Sequence, residues 1–249
     1  MSNHQPYIEI PAFFMRGGTS NGVFFRLDDL PADAQQAGDQ RDRLLLRLIG
    51  SPDPYGKQID GMGGGSSSTS KVVIISKSTQ ANHDVDYLFG QVSIDKPFVD
   101  WSGNCGNLSA AVGSFAIESG LIAAGIDNGM REVRIWQANI SKTIVAQVPI
   151  ANGCVQETGD FMLDGVTFPA AEVKLSFLQP SDGVLFPTGN TTDEISVPEI
   201  GSLKSTLISA GIPTVFVNAV DIGLTGRESQ SEINNNSNLL KLLISLCDS

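Results

Sequence analysis

A run of apolar residues between positions 106 and 119 constrains the fold of this chain more than any other feature. Its apolar side chains recur at the i, i+3, i+4, i+7 and i+8 spacing of one buried helical stripe, formed by Leu108, Ala111, Val112, Phe115 and Ala116. The stripe is wide, and its many Ala and Ser residues would permit close burial inside a curved sheet. Gly120 supplies a stop for this helix, and Asn104 is predicted to cap its start.

The rest of the chain shows short strand patterns and two more helix patterns. Strands are predicted at about 7–14, 22–27, 72–76, 86–95, 132–139 and 143–150, with helices at 40–49 and 106–119 and a leucine-rich helix at 239–247. This pattern indicates a mixed α/β or α+β fold. Turn residues at 179–183 mark a boundary, and prolines, Thr, Ser and Gly in 186–204 are typical of an irregular connection. We therefore expect an N-terminal domain at 1–185 and a second domain at 186–249.

Composition excludes several functional classes. The chain has 249 residues, 41% hydrophobic content and a net charge of −11, with no basic stripe, so nucleic-acid binding is not expected. Its three cysteines are scattered and only two histidines are present, which predicts no metal site. No signal-peptide pattern or membrane-spanning apolar stretch is found. We expect a cytoplasmic protein with free thiols.

Cys105 stands directly before the main predicted helix, in the segment Asp100-Trp101-Ser102-Gly103-Asn104-Cys105-Gly106-Asn107. The unpaired amides of a helix N-terminus favour negative charge, so this position predicts a reactive thiolate. Gly103 and Gly106 would let the carboxylate of a ligand approach the backbone closely. The alternative is a buried, inert cysteine beside an ordinary Gly-Asn turn.

A second segment, Gly61 to Lys71, is a loop of small residues that runs into the apolar strand Val72-Val73-Ile74-Ile75. It is not a Walker A loop, because Ser70 precedes Lys71 and Val72 follows it. It also lacks the third glycine and the following helix of a dinucleotide-binding motif. A flexible linker is the remaining alternative. Lys71 at the head of a strand argues against a linker, since a partly desolvated amine there can act as a base.

A third segment, Met15-Arg16-Gly17-Gly18-Thr19-Ser20-Asn21-Gly22, lies between two apolar runs and is predicted to form a hairpin tip. Arg16 offers a bidentate partner for a carboxylate, and the following residues offer amide and hydroxyl donors. The alternative is a surface turn with one solvated arginine. Three such loops in one chain together favour a binding site for an anion.

These segments resemble a known family. The matching motifs are Met15-Arg16-Gly17-Gly18-Thr19-Ser20, Gln58-Ile59-Asp60-Gly61-Met62-Gly63-Gly64, Ser68-Thr69-Ser70-Lys71-Val72 and Ser102-Gly103-Asn104-Cys105-Gly106-Asn107. They look like the signature segments of PrpF proteins, which are diaminopimelate epimerase-like, cofactor-independent isomerases. The resemblance implies an α+β fold in which each half wraps a sheet around a central helix.

The resemblance also implies a reaction and a set of site residues. The expected activity is cis–trans isomerisation of 2-methylaconitate in propionate catabolism through the methylcitrate cycle, with no cofactor and no metal. Lys71 and Cys105 occupy the positions of the catalytic pair. The expected substrate-binding residues are Arg16, Gly17, Gly18, Thr19, Ser20, Ser68, Thr69, Ser70, Gly103, Asn104, Gly106 and Asn107. Family members usually carry lysine where this chain has Asn21, so one substrate contact is expected to differ.

Members of the family continue far beyond the length of this chain, which implies an incomplete second domain here. Sites in the superfamily lie between two domains, so one hypothesis is a catalytically weak or inactive form. Two others are an accessory partner of an aconitase-like dehydratase of the AcnD type and a racemase, epimerase or tautomerase of another carboxylic acid. The expected partners are a small tricarboxylate, such a dehydratase and, in a homo-oligomer, a second copy of the chain.

Overall fold

The computed structural model describes residues 8–179, 183–198, 201–211 and 213–247. The chain divides into two compact units, Met1–Leu178 and Gln179–Ser249. The division falls at the start of the turn-rich segment 179–183. The assignment of 1–185 and 186–249 as two domains stays a prediction.

The first unit consists of one sheet, two α-helices and a short 3-10 helix at Leu27–Asp29 within its described residues. The strands are β1 (Phe13–Gly17), β2 (Ser20–Arg26), β3 (Lys71–Lys77), β4 (Val85–Val92), β5 (Val99–Asp100), β6 (Gly129–Gln137), β7 (Lys142–Ala151), β8 (Cys154–Val155) and β9 (Lys174–Leu178), and the helices are α1 (Asp39–Ile49) and α2 (Gly106–Glu118). The strand order is β1-β2-β3-β4-β6-β7-β8, with β5 paired to β4 and β9 to β7. The β2–β3 and β4–β6 pairs are parallel.

Helix α2 lies within the curve of this sheet. It contacts β1 at one edge as well as β7, β8 and β9 at the other, which requires the sheet to curl around it. The predicted stripe is buried: Leu108, Ala111, Val112, Phe115 and Ala116 pack into one core with inward side chains of the strands. Gly113 allows the close approach, because a Cβ added there would lie 2.6 Å from a methyl carbon of Val148.

Strand β3 is apolar along its length because both of its faces are covered. Side chains alternate between the two faces of a strand. Val73 and Ile75 therefore pack against α2, whereas Val72 and Ile74 pack into a second core that includes α1. The same alternation puts Lys71, two residues before Val73, on the α2 face.

The second unit is a small sheet with helices. Its elements are β10 (Asp193–Val197), β11 (Gly201–Ser209), β12 (Pro213–Val217), α3 (Gln230–Asn234) and α4 (Ser237–Cys247). The strands are antiparallel in the order β10-β11-β12. Val197, Leu203 and Leu246 form the centre of its core.

Two expectations about local structure are wrong. The strand predicted at 7–14 begins only at Phe13: residue 7 lies outside the described residues, and residues 8–12 have no regular structure. Pro11 has no N–H to donate to a strand ladder, which explains the late start. The irregular connection predicted at 186–204 contains β10 and the start of β11, because Ile195 and Val197 alternate inward and pack with Leu203.

Candidate active site

Lys71 is the first residue of β3, and its side chain extends from the α2 face of the sheet. Its Nζ lies 3.4 Å from the Sγ of Cys105, to which it donates a hydrogen bond. The same Nζ lies 5.5 Å from the centroid of the Phe89 ring. The residue is only 9% exposed. A buried amine therefore faces a sulfur atom on one side and an aromatic ring on another.

Cys105 is the residue that caps α2, so the expectation that Asn104 caps this helix is wrong. The helix begins at Gly106, and Cys105 has the extended backbone of an N-cap, with φ −107° and ψ 101°. Its Sγ accepts a hydrogen bond from the backbone N of Leu108 at 3.5 Å. The sulfur thus receives donors from the helix terminus and from Lys71, and both would stabilise negative charge on it.

Two side chains donate hydrogen bonds to the backbone carbonyl of Cys105. The Tyr87 hydroxyl donates to the Cys105 carbonyl at 3.3 Å, and the Ser109 hydroxyl donates to the same oxygen at 2.9 Å. Burial raises the pKa of Tyr87 well above its ordinary value, and the electrostatic interaction with Cys105 raises it further. Tyr87 therefore stays neutral and donates its hydrogen bond to the Cys105 carbonyl. Tyr87 is not among the residues predicted for the site, although its place between the inward-facing Val85 and Phe89 could have indicated it.

The hydroxyl residues before Lys71 form a compact turn. The Ser66 hydroxyl bonds to Ser68 Oγ at 3.0 Å and to Thr69 Oγ1 at 2.8 Å. Ser70 is fully buried, and its hydroxyl donates to Gln58 Oε1 at 2.6 Å. Ser68 and Thr69 are half-buried residues, whereas Ser70 is buried and its hydroxyl is engaged with Gln58.

The hairpin tip packs on the first turn of α2. Asn107 Nδ2 donates to Thr19 Oγ1 at 3.0 Å and to Ser20 Oγ at 3.5 Å. A Cβ added to Gly17 would lie 2.8 Å from the Cα of Leu108, so this contact requires glycine. The exposed Arg16 donates from Nη1 to the carbonyl of Gly18 at 2.9 Å. The structure therefore brings the Arg16–Ser20 segment to the N-terminus of the helix that carries Cys105.

The hairpin also meets the loop before Lys71, because the backbone N of Asn21 donates to the Ser68 carbonyl at 3.1 Å. The Oδ1 atoms of Asn21 and Asn104 are buried without a hydrogen-bond partner among the described residues. Buried acceptors are normally paired, so each of these two oxygens is a candidate contact for a ligand donor. Gly103, beside Asn104, has open space where a side chain would be.

A cavity of about 330 Å³ lies beside the first turn of α2. Five of the predicted substrate-binding residues line it: Arg16, Gly17, Gly18, Gly106 and Asn107. Its other walls are mainly apolar and come from α2 and from residues 155–175. Lys71 and Cys105 are not among its lining residues, so the cavity adjoins the helix terminus without containing their contact.

None of the helices in the described part of the chain has the length and apolarity needed to cross a membrane. Within the same residues, no group of three or more His, Cys, Asp and Glu side chains is placed to hold a metal ion.

Known proteins are similar to this chain in sequence and in fold. The chain is 65% identical over 247 residues to a 2-methyl-aconitate isomerase of Cupriavidus necator, covering 96% of this chain and 62% of that protein. It matches the crystal structure of a methylitaconate-delta-isomerase with a TM-score of 0.73 and 39% identity, covering 95% of this chain and 60% of the other. The chain thus spans about three fifths of the length of the relatives that it matches.

A more distant structural neighbour supports the fold class. A probable proline racemase from Agrobacterium radiobacter matches with a TM-score of 0.50 and 16% identity, over 86% of this chain and 53% of the other. At this identity the likeness shows the fold alone. The expected α+β fold of the diaminopimelate epimerase-like isomerases, with a curled sheet around a helix, is confirmed. The family model for the PrpF protein matches residues 7–246, and this chain therefore belongs to the PrpF family.

Proposed function

We propose that this chain carries the proton-transfer pair of a cofactor-independent isomerase that acts on aconitate-type tricarboxylates. The observation that carries this proposal is the 3.4 Å contact between Lys71 Nζ and Cys105 Sγ in a buried setting. An amine and a thiol are both able to accept and return protons near neutral pH when their surroundings are tuned for it. Their position at the meeting point of three loops rich in glycine and hydroxyl residues supports an anionic substrate.

The reaction needs a proton to leave one carbon and a proton to reach another. Removal of a proton from the carbon next to the unsaturated acid moves an electron pair into the conjugated system and gives a dienolate. Return of a proton at the other end of the system, or at the same carbon after rotation, completes a shift or a cis–trans change. One member of the Lys71–Cys105 pair accepts the proton and the other supplies one, so no oxidant, reductant or cofactor is consumed.

The dienolate needs donors that are already in place when its charge develops. The backbone amides at the start of α2 are suited to this, because the first four amides of a helix have no partner within the helix. Hydroxyls of Thr19, Ser68 and Thr69, together with the Arg16 guanidinium, are suited to hold the carboxylates of the substrate.

We further propose 2-methylaconitate as the substrate, because the relative from Cupriavidus necator bears that name and is 65% identical to this chain. The activity would then serve propionate catabolism through the methylcitrate cycle in the cytoplasm. An aconitase-like dehydratase of the AcnD type would be its partner, and the product of one enzyme would be the substrate of the other.

An assay with a panel of acids tests this proposal. The chain, dialysed against a chelator, is incubated in deuterium oxide with 2-methylaconitate, trans-aconitate, an itaconate and proline, and each mixture is followed by proton NMR. We expect interconversion of the isomers of 2-methylaconitate or aconitate, however slow, and no loss of the Cα proton signal of proline. Loss of that signal through exchange with solvent, or no reaction with any tricarboxylate by a folded chain, would overturn the proposal.

A further inference from the structure

Gln58 is the one strongly buried residue of the Gln58–Gly64 segment, and the proposed chemistry gives it no role. It is 1% exposed, and its backbone has a φ of +54°, in the left-handed region that residues other than glycine rarely adopt. We propose that Gln58 is a positioning residue, which fixes the loop 61–70 and thereby the hydroxyls that precede Lys71. This inference rests on the proposed function, since those hydroxyls are assigned there to the substrate.

The side-chain amide of Gln58 joins three separate points of the chain. Its Oε1 accepts from the backbone N of Gly65 at 2.9 Å and from the hydroxyl of Ser70 at 2.6 Å. Its Nε2 donates to the hydroxyl of Ser51 at 2.8 Å. Both lone pairs of the oxygen are thereby used. The Oε1 atom of Gln58 is consequently bonded both to the middle of the loop, at Gly65, and to its end, at Ser70. Ser70 directly precedes Lys71.

The backbone of Gln58 is itself clamped in place. The carboxylate of Asp53 accepts the amides of Tyr55 and Lys57 at 2.9 Å each, and that of Gln58 at 2.6 Å. These three amides lower the pKa of Asp53, so the carboxylate stays charged and continues to accept their hydrogen bonds. The left-handed conformation at Gln58 is thus over-determined by its neighbours, which is the condition for such a conformation to persist.

The other end of the loop is fixed by helix α1. The backbone N of Met62 donates to the Leu48 carbonyl at 2.8 Å, and that of Gly63 donates to the Ile49 carbonyl at 3.0 Å. A Cβ on Gly63 would collide with the Gln58 side chain, so the glycine lets the loop close over the amide. The loop is therefore held at its start by α1 and in its middle by Gln58. Gln58 shares the end of the loop with Gln91, whose Nε2 donates to the carbonyls of Ser67 at 3.2 Å and Ser70 at 3.0 Å.

A purely apolar side chain of the same size could fill the space of Gln58 but could not hold the loop. It would leave the buried Ser70 hydroxyl and the half-buried Gly65 amide without their partner, and a buried polar group is costly to leave unpaired. The loop would then exchange between arrangements, and the hydroxyls of Ser68 and Thr69 would no longer be preorganised. Substrate affinity should suffer more than the chemical step, because Lys71 is held separately by the ladder of β3.

The test compares three variants of this chain. Gln58→Met removes all three hydrogen bonds with little change in volume. Gln58→Glu keeps the acceptor for Gly65 and Ser70 and lets Ser51 donate in turn. The matched control is Gln137→Met, because Gln137 is also fully buried, but its amide bonds to Asn139 at 2.6 Å and to the Ile140 amide at 2.9 Å, in a different turn.

Two measurements are made on each variant. Amide hydrogen exchange, read by mass spectrometry on peptides covering 61–70, reports the order of the loop. The concentration of trans-aconitate that halves the alkylation rate of Cys105 reports affinity. For Gln58→Met we expect exchange in 61–70 to rise by about tenfold or more and the half-protecting concentration to rise about tenfold, the factor for roughly one lost buried hydrogen bond. We expect Gln58→Glu to bring both the exchange rate in 61–70 and the half-protecting concentration most of the way back to their values in the unsubstituted chain. Gln137→Met should leave exchange in 61–70 unchanged.

The proposal is overturned if Gln58→Met leaves exchange in 61–70 unchanged, or if Gln137→Met raises it equally, since a general loss of stability would then explain the result. A failure of Gln58→Glu to restore protection would also count against it. If trans-aconitate fails to protect Cys105 in the unsubstituted chain, the proposed function fails instead, and the exchange data alone decide the role of Gln58.

Discussion

The Nζ of Lys71 lies 3.4 Å from the Sγ of Cys105, although 34 positions separate the two residues in the chain. Two local rules produce this contact. The alternation of side chains along β3 places Lys71 on the face that α2 covers, and the start of α2 at Gly106 makes Cys105 its cap. The N-terminus of the helix and the head of the strand therefore meet at one point of the buried core.

The reactivity of Cys105 should depend on Lys71. Replacing Lys71 with Met removes the ammonium that donates to the sulfur, and we expect alkylation of Cys105 by iodoacetamide at neutral pH to slow roughly tenfold, the factor for about 1.4 kcal/mol of lost charge stabilisation. Mass spectrometry of the labelled peptides measures the rate. Cys154 is an internal control, because it is exposed and its labelling should not change. Equal rates at Cys105 with and without Lys71 would show that the ammonium does not activate the thiol.

The two glycines Gly17 and Gly103 should respond differently to alanine. A Cβ at Gly17 would lie 2.8 Å from the Cα of Leu108, whereas a Cβ at Gly103 would meet nothing within 4 Å. We expect Gly17→Ala to lower the free energy of unfolding by about 1–3 kcal/mol, as overpacking does, and Gly103→Ala to change it little.

Denaturant unfolding followed by tryptophan fluorescence measures this difference, since both tryptophans of the chain, Trp101 and Trp136, lie in the first unit. A Gly17→Ala variant as stable as the unsubstituted chain would show that the hairpin tip does not pack on α2 as described.

The stability of the first unit should fall at alkaline pH because of Tyr87. Burial raises the pKa of this phenol above its ordinary value of 10.0, so the folded protein keeps a proton that the unfolded chain releases. The unfolded state then binds fewer protons, and the free energy of unfolding decreases as the pH rises above 10. Below pH 10 both states hold the proton and this contribution does not vary.

Absorbance at 295 nm of the unsubstituted chain minus that of Tyr87→Phe isolates the titration of Tyr87. We expect that Tyr87 does not ionise near pH 10, where an exposed tyrosine would, as long as the protein remains folded. In Tyr87→Phe the free energy of unfolding should decrease less steeply above pH 10. A normal titration of Tyr87 in the folded protein would mean that water reaches the site beneath Cys105.

The periodicity of apolar residues predicted the helix and the strand that form the core of the first unit. The stripe from Leu108 to Ala116 and the apolar run from Val72 to Ile75 are buried as predicted, because burial on one or two faces leaves a repeating pattern in the sequence. The first strand and the segment 186–204 were predicted wrongly. In one, a proline interrupts an apolar run, and in the other, short alternating stretches are hidden among turn residues.

The details of the candidate site were less predictable than its location. The helix boundary decides whether Asn104 or Cys105 is the cap, and such boundaries are uncertain by one or two residues from sequence. Tyr87 and Gln58 act through contacts with residues far away in the chain, at positions 105 and 70. No local pattern reveals a contact of this kind. The glycine at 17 is required by packing on α2, a reason that the loop sequence alone could not supply.

Uptake of deuterium from solvent into trans-aconitate, followed by NMR, tests the central claim most directly. If Lys71 and Cys105 move protons to and from carbon, the chain will catalyse uptake, however slowly, and both Lys71→Met and Cys105→Ser will reduce it by at least about a hundredfold, the range for loss of a general acid or base. Cys154→Ser, at the exposed thiol, should retain the full rate. Uptake that persists in Lys71→Met or Cys105→Ser, or none by the folded unsubstituted chain, would contradict the account.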